Sequence, residues 1–179
     1  SGRVAHAQDA LDLFLATDII DARVAAAKLC DYNNQRKAIE ADIFRAAEIS
    51  ASITPDCAAI VACGDNWHPR VLGIVASRLC EKYERPAVVI SFNGDVGKGS
   101  CRSVDGLHLM DTLSACGRLL TEYGGHKKAA GISLHKNNLD GFRVKLNEVI
   151  KNFNISDGVV VPVDVDVKLS FADVNLALV

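Results

Sequence analysis

Apolar residues recur at helical spacing over the first third of the chain and predict two helices there. Residues 5–16 place apolar side chains on one face, at Ala7, Ala10, Leu11, Phe14 and Leu15. Asp18 is a suitable N-cap for a second helix over residues 19–52, because its carboxylate can accept hydrogen bonds from the first N–H groups. A helix of that length would span about 50 Å and would suit a connector between two domains. The alternative is two shorter packed helices broken near residues 31–34.

Short apolar runs alternate with helical patterns over residues 53–155 and predict an α/β fold. Strands are expected at 58–63, 87–92, 96–102 and 130–135. Helices are expected at 69–83, where Pro69 would be the first residue, and at 109–123 and 138–153. Asn93-Gly94-Asp95 reads as a tight hairpin turn, which requires mixed strand directions. The expected fold class is therefore an α/β sandwich on a mixed sheet, flanked by helices and preceded by the long connector helix.

The amino-acid composition is typical of a globular protein. The chain has 179 residues, of which 49% are hydrophobic and 23% charged, as in ordinary globular proteins. No apolar run approaches the ~18 residues of a membrane-spanning helix, and the N-terminus lacks the pattern of a signal peptide. Because the chain also lacks an initiator Met, we expect an excised piece of a longer protein. Its six cysteines have no C-x-x-C spacing, so buried free thiols in a reducing cytoplasm are expected.

Charge is distributed unevenly along the chain. The net charge is −2, but residues 95–136 carry six Lys or Arg against four Asp or Glu. The same region contains residues 124–131, Gly-Gly-His-Lys-Lys-Ala-Ala-Gly. A glycine turn that presents an imidazole and two ammonium groups suits an anion such as a phosphate. The alternative is a helix-terminating glycine pair followed by an ordinary surface loop.

Three segments carry a family resemblance. Residues 124–131 resemble the GGHxxAAG signature of the DHH-associated domain, the nucleic-acid-binding half of the DHH phosphoesterase superfamily. Residues 67–79 (WHPRVLGIVASRL) and 99–109 (GSCRSVDGLHL) are similar to segments of the RecJ family of single-strand-specific exonucleases. Arg70 stands where that family usually has glycine. Gly2-Arg3 resemble the end of its NAAGR segment, with Ser1 in place of alanine.

The resemblance implies a function and a domain organisation. It implies the substrate-binding portion of a 5′→3′ single-stranded-DNA exonuclease of recombination and repair, with single-stranded DNA and repair proteins such as a single-strand-binding protein as partners. Residues 1–52 would be the end of the catalytic domain and the connector, 53–155 the DHH-associated domain, and 156–179 the start of an OB-type domain. Mn²⁺ or Mg²⁺ would be held in the catalytic domain, because this sequence has no Asp-His-His segment. The alternatives are an oligonucleotide or nucleotide phosphatase, and a non-catalytic single-strand-binding or partner-interaction module.

The resemblance also implies site residues. It places no catalytic residue and no metal ligand in this chain. It implies that Arg102, Ser103 and His126, the last flanked by Gly124 and Gly125, contact the substrate backbone near the scissile phosphate, and that Arg3, at the domain junction, faces the same cleft as a weaker candidate. Lys127 and Lys128 are expected to add non-specific phosphate contacts through their charge. Independently of the resemblance, an arginine at a strand end can form a forked contact with a phosphate, although a surface ion pair is the alternative. Ser103 could instead cap a helix. Trp67 could stack on a base, but the core is preferred, and His68 is expected to bind backbone groups.

Overall fold

The computed structural model describes residues 3–51 and 53–153. The helices within them are α1 (Gln8–Leu15), α2 (Ile19–Ser50), α3 (Leu72–Tyr83), α4 (Leu109–Ala115) and α5 (Leu139–Asn152). The strands are β1 (Ile60–Asp65), β2 (Ala87–Asn93), β3 (Val96–Arg102), β4 (Glu122–Gly125) and β5 (Ala129–His135). The OB-type segment expected at 156–179 lies outside the described residues.

Helix α2 is continuous, so the long connector-type helix is confirmed and the broken alternative is wrong. Its start is fixed by Asp18, whose carboxylate accepts hydrogen bonds from the N–H groups of Ile20 and Asp21 at 2.8 and 2.9 Å. Only the second half packs on the sheet, where Ile43 and neighbouring apolar residues are buried. Val24, in the first half, is 65% exposed. The helix therefore projects beyond the body that its C-terminal half helps to form.

The five strands form one mixed sheet in the order β1-β2-β3-β5-β4. Strands β1 and β2 are parallel, and the other neighbouring pairs are antiparallel. The β2–β3 connection is the predicted hairpin turn, in which Gly94 has a φ of 62°. The α/β fold with a mixed sheet is thus confirmed.

Strand alternation divides the buried residues between two cores. Ala62 and Val89 point to one face, where α2 and α3 cover them. Val88 and Ile90 point to the opposite face, which includes Phe142 and Leu146 of α5. Each layer of helices therefore lies against one face, and the site residues are placed by the same alternation.

Each of the two helices predicted between residues 69 and 123 has a wrong boundary. Helix α4 ends at Ala115 instead of continuing to Tyr123, because a 3-10 turn starts at Gly117 and Tyr123 belongs to β4. Pro69 is not the first residue of α3. It lies in a turn closed by a 3.0 Å bond from the Val71 N–H to the carbonyl of His68. Sheet pairing and turn closure override the helical pattern in these two places.

Cysteine burial agrees only in part with the expectation. All six thiols are unpaired, and three of them, Cys80, Cys101 and Cys116, are buried. Burial raises the pKa of Cys101 to about 12 and that of Cys116 to about 11, so both remain protonated packing residues. Cys30 is exposed on α2, against the expectation of burial.

None of the helices in the described part of the chain combines the length and apolar character needed to cross a membrane.

Candidate functional site

The glycine-rich motif forms a β-hairpin. Gly124 and Gly125 pair with Gly131 and Ala130 as the end of β4, so the turn itself consists of residues 126–128. It is closed by a hydrogen bond of 2.8 Å from the His126 N–H to the carbonyl of Ala129. The predicted glycine turn is therefore a glycine strand with a basic tip, and the helix-terminating alternative is wrong.

Backbone hydrogen bonds fasten this tip beside the end of β3. The Ser103 N–H donates to the carbonyl of Lys128 at 3.0 Å, and the Leu109 N–H donates to that of Lys127 at 2.9 Å. In the sheet register, Arg102 is directly opposite Ala129. The structure thus brings together the Arg102–Ser103 pair and the His126–Lys128 tip.

The Arg102 guanidinium is held between the sheet and α3. Its Nη1 donates to the carbonyl of Cys101 at 2.8 Å and to Ser100 Oγ at 3.2 Å, and its Nε donates to Ser77 Oγ at 3.2 Å. No described carboxylate lies within ion-pair distance, so the surface ion pair is not its role in this part of the chain. Its positive charge is fixed in place and lacks a protein counter-charge among the described residues.

Three supporting residues around Arg102 were not singled out from the sequence. Ser77 and Ser100 bind the guanidinium, and Gly73 leaves room for it, since a Cβ there would lie 2.9 Å from Nη2. All three belong to the resembling segments, at GIVAS and GSCRS. The motifs contained the signal, but only the packing of α3 on β3 shows that these residues meet.

The sheet face that carries Arg102 is open at its β5–β4 end. Ser100, Gly131 and Gly124 face the same side, because they are consecutive cross-strand neighbours. Both glycines are exposed, and a Cβ would meet nothing within 3.9 Å at Gly131 and nothing within 4 Å at Gly124. A groove of about 450 Å³ lies here, with Lys98 among its lining residues. A ligand can therefore approach the backbone of this face closely.

The cations of the hairpin tip differ in their availability. Lys128 Nζ lies 2.6 Å from Asp105 Oδ1, and this hydrogen bond lowers the pKa of the Asp105 carboxyl. His126 and Lys127 are exposed, and their side chains make no hydrogen bond or ion pair with a described residue. His126 and Lys127 are therefore the two tip residues best placed to contact an anion.

Ser103 has a different arrangement from either expectation. Its hydroxyl donates to the carbonyl of Leu107 at 3.0 Å, and the residue preceding α4 is His108. Ser103 therefore holds the 103–107 loop and does not cap the helix. Contact with a ligand would require its hydroxyl to turn away from this bond.

Arg3 lines a separate cleft with His68 and Arg70 instead of joining the hairpin tip. Trp67 is half-buried against the core that α2 and α3 cover, and it lies over Gly64, where a Cβ would be 2.2 Å from the indole ring. The core position preferred for Trp67 is confirmed.

Comparisons with known proteins identify the family of the chain. Residues 56–152 match the DHHA1 domain family. The chain is 33% identical over 178 residues to the single-stranded-DNA-specific exonuclease RecJ of Bacillus subtilis, covering 98% of this chain and 23% of that protein. It is also 33% identical over 162 residues to RecJ of Escherichia coli, covering 84% of this chain and 28% of that protein.

A solved structure gives the same result. The crystal structure of RecJ from Thermus thermophilus in complex with Mg²⁺ superposes with a TM-score of 0.74 at 30% identity, over 84% of this chain and 23% of that one. The chain thus spans about a quarter of the length of these relatives. Because the DHHA1 domain family matches more than half of the residues, this chain belongs to that family. The relatives named above are RecJ exonucleases.

Proposed function

We propose that this chain is the substrate-binding portion of a 5′→3′ single-stranded-DNA exonuclease that acts in recombination and repair. The observation that carries the proposal is the Arg102 guanidinium, fixed by two serine hydroxyls and a carbonyl without a described carboxylate nearby. A preorganised guanidinium favours a phosphate, with which it can form two parallel hydrogen bonds.

The surroundings of Arg102 suit a strand rather than an isolated phosphate. His126 and Lys127 add exposed donors at the hairpin tip, and Gly131 and Gly124 leave two positions of the neighbouring sheet face without a side chain, in a groove that Lys98 and Glu122 also line. A sugar–phosphate backbone could thus lie along the face while the tip contacts adjoining phosphates. Such contacts position a strand without reading its sequence.

The described residues do not form a metal site of the kind that the family's chemistry requires. Within residues 3–51 and 53–153, no three His, Cys, Asp or Glu side chains come together as a group that could hold a metal ion. The related RecJ structures were determined with Mg²⁺ or Mn²⁺. We propose that the metal ligands belong to the part of the relatives that this chain does not span, and we assign this chain the role of binding the substrate.

Length dependence of binding tests the proposal. Fluorescence anisotropy should show that a 5′-phosphorylated single strand of about ten nucleotides binds more tightly than a dinucleotide, because more phosphates lie on the face. Equal affinities would favour the phosphatase alternative. Binding of neither would leave only the partner-interaction alternative and contradict the proposal.

The same preparation should not cleave DNA. We predict that the isolated chain hydrolyses neither single-stranded DNA nor a small phosphodiester, with or without Mn²⁺, because the described residues offer no metal-ligand group. The measurement is a nuclease assay on stringently purified protein. Cleavage that co-purifies with the chain and is lost on metal chelation would refute the division of roles.

A further inference from the structure

A second cationic cleft precedes α3. It has a volume of about 510 Å³ and is lined by residues 3–7 together with His68 and Arg70. Its lining includes two arginines and two histidines, because residues 3–7 contribute Arg3 and His6, and it includes no carboxylate. A concave surface with this balance of side chains favours an anion over a cation or an apolar ligand.

His68 provides an independent observation. Its Nδ1 atom is buried from solvent, and no described group forms a hydrogen bond with it. The backbone carbonyl of His68 is occupied by the Val71 N–H. The expectation that the His68 ring binds backbone groups is therefore not met at this atom. Because Nδ1 is shielded from solvent, a ligand in the cleft would reach it only if the imidazole turned.

Arg70 distinguishes this chain from the motif it resembles. The RecJ-type segment usually has glycine at this position, so the side chain is an addition to the usual pattern. Gly73, three residues later, adjoins the Arg102 guanidinium. Arg70 and Gly73 are three positions apart at the start of α3, so the cleft and Arg102 both adjoin this part of the chain.

We propose that Arg70, His68 and His6, together with Arg3, form a second phosphate subsite for the same single strand that Arg102 binds. This inference rests on the proposed function, and it adds a contact that the motif alone does not provide. Arg70 supplies the charge, and the imidazoles supply hydrogen-bond donors. The subsite would strengthen binding without regard to base sequence.

Inorganic phosphate tests the subsite directly. In NMR titrations at fixed pH and ionic strength, with chloride as the control anion, phosphate should shift the imidazole C–H signals of His6 and His68 in a saturable manner. The signal of His135, at the end of β5 and outside the cleft, should not move. Absence of the His6 and His68 shifts, or equal shifts at His135, would overturn the subsite.

Matched variants test its role in binding a strand. Arg70→Gln should weaken binding of the single strand about fivefold at 0.1 M salt, the effect of losing one phosphate contact. Arg70→Gly, which restores the usual residue of the motif, should do the same. Arg118→Gln, which removes one exposed charge outside the cleft, should have little effect. Equal losses for Arg70→Gln and Arg118→Gln would overturn the proposal.

The outcomes separate this inference from the proposed function. If Arg102→Gln weakens strand binding and Arg70→Gln does not, the subsite is rejected and the proposed function stands. If phosphate saturates the His6 and His68 signals but the wild-type chain does not bind the strand, the proposed function fails and the claim of a strand-binding subsite fails with it.

Discussion

Neighbouring glycines of the hairpin should respond differently to substitution. Gly125 has a φ of 152°, and a Cβ there would lie 2.4 Å from the carbonyl oxygen of Ala129. Gly125→Ala should therefore lower the free energy of unfolding by about 1–3 kcal/mol, as backbone overpacking does. Gly124→Ala is the matched control, because its Cβ would enter open space. Denaturant unfolding measures both, and equal stabilities would show that the Gly125 geometry is not required.

His126 should behave in the opposite way. Its side chain is exposed without a described partner, so His126→Ala should change the free energy of unfolding by no more than about 0.5 kcal/mol. If it contacts one phosphate, the same variant should bind a single strand about fivefold more weakly at 0.1 M salt. Anisotropy and thermal melting on one preparation separate the two effects. A folded His126→Ala protein with wild-type affinity would make the motif only a turn.

The sequence allowed the choice of candidate site residues, but it did not allow their hydrogen-bond partners to be predicted. Arg102 and His126 stand out because their types and flanking glycines suit a phosphate. The bond from Ser103 to the 103–107 loop depends on a turn whose geometry the sequence pattern does not specify. The placement of Ser77 beside Arg102 depends on two elements separated by 25 positions in the chain.

Two elements, α2 and α3, are joined by a mostly buried ionic cluster. Glu40 accepts hydrogen bonds from Arg36 of its own helix and from Arg78 of α3, the latter at 3.0 Å. Arg78 also lies over the ring of Phe44, 4.2 Å from its centroid. The cluster fixes the angle between the connector-type helix and the helix that supports Arg102.

Removal of Glu40 should destabilise this junction. Glu40→Ala leaves the mostly buried Arg36 without its carboxylate, and we expect a loss of about 2 kcal/mol in the free energy of unfolding. Asp42→Ala is the control on the same helix, because the Asp42–Arg45 pair is exposed and should contribute less than about 0.5 kcal/mol. Denaturant titration gives both values. Equal losses would assign the effect to general helix charge rather than to the cluster.

A second carboxylate at this junction gives it a pH dependence. Hydrogen bonds from Lys82 and then Tyr83 lower the pKa of Glu48 from its ordinary value of 4.5. A lowered folded-state pKa stabilises the fold above that ordinary value, and the stabilisation is lost as the pH falls through the folded-state pKa. The difference in melting temperature between wild type and Glu48→Gln should thus be largest near neutral pH and shrink below about pH 4.5.

The control for that series is Glu81→Gln on the exposed side of α3, where the carboxylate makes no hydrogen bond with a described residue. Its melting temperature should follow that of the wild type across the acid range. A Glu48→Gln difference that persists unchanged at low pH would contradict the ionic origin of the contact.

Elements with strong local signals were predictable, and those decided by distant pairing were not. Strand β3 agrees with its predicted bounds, because a tight turn fixes its register against β2. The capping carboxylate of Asp18 likewise fixed the start of α2. The segment after Ala115 has a helical pattern, yet residues 122–125 pair with β5. Only the sheet as a whole supplies that hydrogen-bond partner.

At the scale of the whole molecule, the net charge does not reflect the local charge at the candidate site. The chain has a net charge of −2, but Arg102 and Lys127 lie at the sheet end and the hairpin tip, and Arg70 and Arg3 line the cleft before α3. An acidic protein can therefore present a local surface that favours phosphate.

The salt dependence of single-strand binding tests the central claim most directly. Three phosphate contacts, from Arg102, His126 and Lys127, contribute roughly −2 to the slope of the logarithm of the affinity against the logarithm of the salt concentration, and the Arg70 contact would add about −0.7. A fourfold rise in salt should then weaken binding by at least about 16-fold, and Arg102→Gln should reduce the slope by about 0.7. An affinity that does not change with salt, or an Arg102→Gln slope equal to that of the wild type, would contradict the account.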